Sequence, residues 1–410
     1  MECSQKMSDL ARAERRFMAW LQDHGAQIDA LEISNDVSGS RGAVATRDIP
    51  ANEVCISIPE KLLLSEPLAK ADPTLGPIFA AHADLFTRDD TLLSTYLTYH
   101  FYLQDASFFH PYLAILPSPE SILNWPAQDL AQLQDAKILD TVARRNHEII
   151  DSYTRITTRL APLHPDIFND TAFSLDSFRF SWQTIQARTF GSRLPWTSFV
   201  PFADCLNHAN HATTYEYAAD DDGCFWFRWH SSQPYAAGHQ VFNSYGRRGN
   251  QPLLLDYGFA LPKNEWDYVD VDLDVTAFKL PKFERRRLFL SAHLLPFASR
   301  VRLSPDTDLN EVLPYYRCAC LGEASSTTSI LEPQAPQVEL EALGRLRDQL
   351  ALHLSQWPTT LDDDARLLTD TKNVRGNFRT AVVYRHHRKH IVHRVLRLAT
   401  AAAAQVVPAE

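Results

Sequence analysis

The stretch from Phe199 to Phe259 constrains this chain more than any other. It is a series of short β-prone runs with polar groups at their ends. Pro201, Pro262 and the run Asp220-Asp-Asp-Gly223 mark turns. Tyr215-Glu-Tyr217 and Phe225-Trp-Phe-Arg-Trp229 flank the acidic turn, which is the pattern of a hairpin. Gln240-Val-Phe-Asn-Ser-Tyr245 reads as a further short strand. Asn250 to Tyr257 reads as a helical turn closed by Gly258. Asn207 and His208 can each donate and accept hydrogen bonds. Alone, that pair is an ordinary turn, and so is Tyr245-Gly246.

The rest of the chain mixes helical patterns with short β-like pieces. Leu10, Phe17, Trp20 and Leu21 alternate with Arg12, Glu14, Arg15 and Arg16, which predicts an amphipathic helix within residues 1–28. Ile28 to Pro59 is a set of β-like pieces containing Ser38-Gly39-Ser40-Arg41-Gly42. Its glycines permit a tight turn and close backbone approach to a ligand. It lacks the Gly-Lys-Ser/Thr of a phosphate loop. Residues 60 to 175 are mostly helical in pattern, with Leu92, Tyr96, Tyr99 and Leu103 at helical spacing. Phe108 to Pro117 is expected to be extended, and Leu130 to Leu160 to be a long helix. In Phe178 to Phe190, Trp182, Ile185 and Thr189 share one helical face. Arg188 beside that face is either a surface cation or a bidentate partner for an anion.

From Val271 onward the pattern is amphipathic-helical: Phe283 to Leu290, Leu309 to Cys320 and Leu340 to Leu354, with a Ser/Thr/Pro linker from Ala324 to Pro336. Asn377 to Ala404 reads as one long helix. Its basic residues Arg385, His386, His387, Arg388, Lys389 and His390 are expected to be solvated. Sequence neighbours on a helix point in different directions, so the histidines are not expected to form a metal cluster.

At 410 residues, with 45% hydrophobic content, two domains with full cores are expected. A formal net charge of −10 argues against a general nucleic-acid binder and leaves room for a basic substrate segment. Only Cys318-x-Cys320 is a close cysteine pair, so no zinc site is expected. Scattered thiols fit a reducing compartment. No run is long enough to span a membrane. Cytosol or nucleus is the expected location.

Taken together, Asp204-x-x-Asn207-His208, Gly238-x-Gln240-Val-x-x-x-Tyr245-Gly246, Asn250 and Tyr257-Gly-Phe259 resemble the C-terminal half of a SET methyltransferase domain. The class resembled is typified by the Rubisco large-subunit lysine methyltransferase. The resemblance implies an α+β fold: a SET-domain β-fold with a pseudoknot over residues 29–260, carrying a helical insertion at about 60–175. An all-α C-terminal substrate-binding domain over 271–410 would follow. It implies S-adenosyl-L-methionine as cofactor and protein lysine as acceptor. By the same resemblance Gly39, Ser40, Arg41 and Gly42 form the cofactor loop. Asn207 and His208 bind the methionine amino group and the adenine edge. Arg188 faces the methionine carboxylate and the bound substrate. Tyr245 is the tyrosine at the methyl-transfer centre, and Tyr257 is the second channel tyrosine. Phe190, Asp204 and Tyr217 line the substrate side.

The chain departs from the family pattern at Gly39, Ser40, Ala187, Gly249 and Pro252. A relative that methylates a histidine of actin carries Asn where this chain has Phe190 and Trp where it has Ala203. Both positions here are of the lysine type. A histidine methyltransferase of the same fold, or a non-catalytic binding protein on the SET scaffold, are the alternatives. The implied partner is a protein substrate held by the C-terminal helices. Neither nucleic acid nor membrane is implied, and a monomer is expected.

Overall fold

The computed structural model describes residues 2–37, 40–191, 193–211, 213–273, 289, 290, 292, 300–321 and 329–406. The chain divides into two compact units. The first takes Met1–Leu123, Thr141–Arg247 and Leu255–Gly258; the second takes Asn124–Asp140, Arg248–Leu254 and Phe259–Glu410.

Three small sheets carry the first unit. One has the order Gln27–Ile28, Val54–Pro59, Phe225–His230, Thr214–Ala219, all antiparallel. Its last two strands are the expected hairpin. Phe227 and Trp229 alternate with half-buried Trp226 and Arg228, which is the period-two pattern of a strand buried on one face. Asp220 closes the turn by accepting from the backbone N–H groups of Asp222 and Cys224. The second sheet runs Leu31–Val37, Ser40–Ala45, Gln240–Asn243, Asn207–His208. Its last pair is parallel, with Phe242 opposite Asn207 and Asn243 opposite His208. The third joins Leu64–Ser65, Ser198–Phe199 and Thr189–Phe190.

Helices complete the first unit. Glu2–Asp23 buries Phe17, Trp20 and Leu21 on one stripe. Leu175–Arg188 starts at a capping box in which Ser174 and Ser177 satisfy each other's backbone N–H groups. It packs on Asp89–Leu103, with Thr98 Oγ1 donating to Ser181 Oγ at 2.9 Å.

Two expectations are corrected in the helical region. Phe108 to Pro117 is not extended throughout, because His110–Leu113 forms a helical turn. Pro111 stands in its first turn, where a missing N–H leaves no intrahelical bond unmade. Leu130 to Leu160 is not one helix but parts of two, Ala127–Ala131 and Ala136–Leu160. Gln134 takes a left-handed φ of 53° between them, and Asp135 Oδ1 then accepts from Lys137 N and Ile138 N.

The second unit contains the helices Leu309–Cys320, Pro336–Ser355, Leu361–Thr369 and Gly376–Gln405, and a ladder of Val269–Asp272 with Arg300–Leu303. Val269, Leu303, Val312, Leu346, Val392 and Val395 are among its core residues. The expected helix Phe283 to Leu290 lies outside the described residues except for its last two positions, as does 322–328 within and before the expected linker.

The basic helix overturns a further expectation. Arg385, His387, Arg388 and Lys389 are buried, not solvated. Asp364 Oδ1 accepts from Arg385 Nε at 2.8 Å, and its Oδ2 accepts from Lys389 Nζ at 2.6 Å. His387 Nδ1 lies 2.8 Å from Asp267 Oδ2, and Arg388 Nη1 donates to the Tyr268 carbonyl at 3.1 Å. Carboxylates from elsewhere in the unit allow these cations to leave water. Among the described residues no group of three or more His, Cys, Asp or Glu is arranged to hold a metal ion, and no helix is long and apolar enough to cross a membrane.

Candidate active site

The site is built where Asn207-His208 lies alongside Gln240–Asn243. Asn207 Nδ2 donates to the Arg41 carbonyl at 2.9 Å and to Gln240 Oε1 at 2.8 Å. This arm lies directly over Gly42. A Cβ added there would stand 2.8 Å from Asn207 Nδ2 and 3.0 Å from Gln240 Oε1. Glycine is therefore required for close packing. Gly42→Ala is expected to cost about 1–3 kcal/mol through overpacking, read by chemical denaturation. A variant as stable as the wild type would show that the Asn207 arm moves freely.

The rest of the 39–42 loop is placed differently. Gly39 lies outside the described residues, and Ser40 opens the strand Ser40–Ala45 opposite Val37. The Arg41 guanidinium donates through Nη1 to the Ile115 carbonyl at 2.5 Å and through Nη2 to Cys205 Sγ at 3.5 Å. Its Nε stands 3.8 Å from a Glu14 oxygen on the N-terminal helix.

His208 Nδ1 accepts the Tyr245 backbone N–H at 3.1 Å, so its proton belongs on Nε2, which lies 3.1 Å from Asn210 Oδ1. The Tyr245 ring stacks between His208, at 5.0 Å, and Tyr257, at 4.5 Å. Its hydroxyl donates to the Leu206 carbonyl at 3.1 Å. Desolvation of that hydroxyl, with Tyr257 and Asp204 nearby, raises its pKa above the ordinary phenol value despite the opposing charge of Arg188. Tyr245 is thus a neutral donor. Tyr257 is presented by the helix Asn250–Tyr257, which ends at Gly258 with φ +79°. There a side chain would collide with the Glu120 carbonyl at 1.9 Å.

A buried ion pair completes the cluster. Arg188 Nη1 donates to the Asp204 carbonyl at 3.0 Å and to its Oδ2 at 3.1 Å. Burial by itself disfavours the guanidinium; the surrounding Asp204, Tyr112, Cys205 and Tyr245 more than offset this, and its pKa stands above the ordinary one. Tyr112 donates to the same Oδ2 at 3.0 Å. The Cys205 thiol is pushed up to about 12, chiefly by burial and then by Asp204, so it stays protonated and is no nucleophile. Just before this turn the fully buried Phe202 holds φ 72°, a conformation that costs roughly 1–3 kcal/mol and persists only where packing imposes it.

The remaining sequence-derived residues lie on aromatic surfaces. Phe190 meets Tyr215 and Phe227 edge-on at 5.6 and 5.4 Å. Tyr217 packs against Trp196 and Phe225, and its pKa is raised by burial and by the neighbouring Glu60. The structure thus brings Arg41, Gly42, Arg188, Asp204, Asn207, His208, Tyr245 and Tyr257 into one connected network. Phe190 and Tyr217 belong to the neighbouring hairpin face. Sequence reading missed Glu14, Tyr112 and Cys205, whose roles depend on contacts distant in sequence that no local spacing signals; Gln240 stood in the quoted motif but was given no role.

The family described as "SET domain" matches residues 40–246, and that described as "Rubisco LSMT substrate-binding" matches residues 280–396. The chain belongs to the SET-domain family, with the Rubisco LSMT type of C-terminal region. Among curated relatives, actin-histidine N-methyltransferase of Canis lupus familiaris is 25% identical over 373 residues, covering 86% of this chain and 59% of that protein. The Homo sapiens protein of that name is 24% identical over 391 residues, covering 86% and 62%. This chain therefore spans about three fifths of their length. The SET domain of LSMT bound to lysine and AdoHcy superposes with TM-score 0.76 at 20% identity, covering 97% of this chain and 92% of that one. Rubisco LSMT bound to sinefungin and monomethyllysine gives TM-score 0.76 at 22% identity, covering 96% and 93%.

Proposed function

We propose that this chain is an S-adenosyl-L-methionine-dependent protein-lysine N-methyltransferase acting on a non-histone protein. The observation that carries the reading is Tyr245, a neutral hydroxyl fixed on the Leu206 carbonyl with its ring between His208 and Tyr257. The donor set suits the cofactor. Among the described residues Arg188 meets protein acceptors through Nη1 only, which leaves Nε and Nη2 for a carboxylate. Asn207 and His208 would hold the amino and adenine ends, as in the family. When bound, the cofactor supplies a methyl group on a sulfonium for in-line displacement.

The protein's own work is orientation and exclusion of water. Tyr245 keeps its proton and aims its hydroxyl. The stacked Tyr257 walls one side of the approach. A lysine must arrive neutral although its free pKa is about 10.4, and removal from water in an apolar channel disfavours the ammonium. The apolar Phe190, packed with Tyr215 and Phe227, and the small buried Ala203 suit an aliphatic stem. LSMT structures with lysine and monomethyllysine support the same acceptor.

The names of the curated relatives favour a second reading, a histidine acceptor on the same fold. The Rubisco LSMT substrate-binding match supports a protein substrate held by the C-terminal helices. We further read the chain as a monomer of the cytosol or nucleus.

The test uses methyl-labelled S-adenosylmethionine and a hypomethylated lysate, followed by mass spectrometry of the labelled protein. Methylated lysine is the expected product. Methylated histidine would replace the lysine reading by the second one, and no labelled protein would count against turnover itself.

A further inference from the structure

The Asp204 carboxylate is 1% exposed, yet one of its oxygens serves two donors. Oδ2 takes Arg188 Nη1 at 3.1 Å and the Tyr112 hydroxyl at 3.0 Å. Among the described residues Oδ1 faces only the weak Cys205 thiol donor, at 3.9 Å. Tyr112 is fully buried. Its ring lies 5.9 Å from Phe17 of the N-terminal helix and meets Phe199 edge-on at 6.3 Å. Desolvation raises its pKa well above the ordinary value, so the hydroxyl remains a donor. The transfer chemistry itself asks nothing of a phenol in this place.

We propose that Tyr112 is a positioning residue for Arg188, fixing Asp204 so that the free edge of the guanidinium stays turned toward the carboxylate end of an amino-acid-bearing nucleoside. This rests on the reading of Arg188 given under the proposed function. The argument is geometric and electrostatic. A carboxylate tends to take an arginine bidentately, through both oxygens and two N–H groups. That arrangement here would draw a second guanidinium N–H onto Oδ1. The Tyr112 hydroxyl pins Oδ2 and withdraws part of its charge, so Arg188 is anchored by one nitrogen alone. The N-terminal helix braces the same turn along two routes. Phe17 backs Tyr112, and Glu14 stands beside Arg41, whose other nitrogen reaches Cys205. Residues of the first helix therefore set the rigidity of a site far along the sequence.

Two ligands separate positioning from mere stability. S-adenosylhomocysteine carries the carboxylate, whereas 5′-methylthioadenosine has the same nucleoside without the amino-acid end. Calorimetry on the full chain is expected to show Tyr112→Phe weakening S-adenosylhomocysteine about tenfold and changing methylthioadenosine by no more than about twofold. Because the phenylalanine keeps the ring, Phe17 and Phe199 retain their neighbour. A cycle with Asp204→Asn gives the second measurement: the double variant should bind no more weakly than Asp204→Asn alone. Equal weakening of both ligands, no weakening of either, or additive losses in the cycle would each overturn the role of Tyr112. A wild type that binds neither ligand would overturn the cofactor reading and this inference with it. A wild type that binds S-adenosylhomocysteine beside an unaffected Tyr112→Phe would overturn the inference alone.

Discussion

Tyr245→Phe is expected to lower kcat by roughly 10²-fold, the scale seen when one preorganised polar group is removed from a reaction centre. The substitution is confined to one oxygen. The ring remains between His208 and Tyr257, and the backbone N–H of residue 245 still reaches His208 Nδ1. What disappears is the hydroxyl held 3.1 Å from the Leu206 carbonyl. Affinity for S-adenosylhomocysteine should therefore change by no more than about threefold, which places the loss in the chemical step. A raised phenol pKa keeps the neutral form to higher pH. The wild-type rate should accordingly show no decline from Tyr245 ionisation up to about pH 10, the ordinary tyrosine value. Single-turnover kinetics with both proteins would decide it. A phenylalanine variant turning over near the wild-type rate would remove Tyr245 from the reaction and leave only its packing.

How much of this was legible in sequence depends on distance along the chain. The hairpin is signalled locally by alternating Tyr215 to Tyr217 and Phe225 to Trp229 around an acidic turn, and the turn residues close it as expected. The helix before Gly258 is signalled locally too. The site is different. Asn207-His208 and Tyr245 stand together only because a two-residue strand pairs in parallel with Gln240–Asn243. A motif resemblance brings those residues together on paper, while periodicity cannot. Tyr112 was hidden by Pro111, which reads as a sign of extended chain but here opens a helical turn.

The basic helix shows the opposite failure, a signal present but misread. Ala381, Arg385, Arg388, Val392 and Val395 recur at helical spacing on one buried stripe. Cations placed within an apolar stripe call for anions from elsewhere. The sequence of the helix itself cannot say which ones answer.

Asp364 is one that does, and Asp364→Ala is expected to destabilise the second unit by about 3–5 kcal/mol, the range for breaking a buried ion pair on one side. Asp364 is fully buried and holds Arg385 at 2.8 Å and Lys389 at 2.6 Å. Thr359 Oγ1 also donates to it at 2.9 Å. Arg385 retains the Gln132 carbonyl, and Lys389 retains Thr359 Oγ1 and the face of Trp357, but neither keeps a countercharge from Asp364. The penalty comes from stranded cations more than from a lost attraction. That distinction can be measured. Replacing all three residues together, Asp364→Leu with Arg385→Met and Lys389→Met, should recover most of the loss, because no charge then remains to desolvate.

The sign of the pH dependence follows from the same cause. Burial lowers the Lys389 pKa, and Asp364 opposes that shift. Without Asp364 the folded state binds the Lys389 proton less tightly than the unfolded state does. The stability of the single variant should then rise with pH, between its lowered folded pKa and the unfolded value of about 10.4, above which the gain is complete. Urea denaturation followed by circular dichroism at several pH values would test both claims. A loss below about 1 kcal/mol, or a triple variant no more stable than the single one, would mean that water reaches Arg385 and Lys389 once the carboxylate is gone.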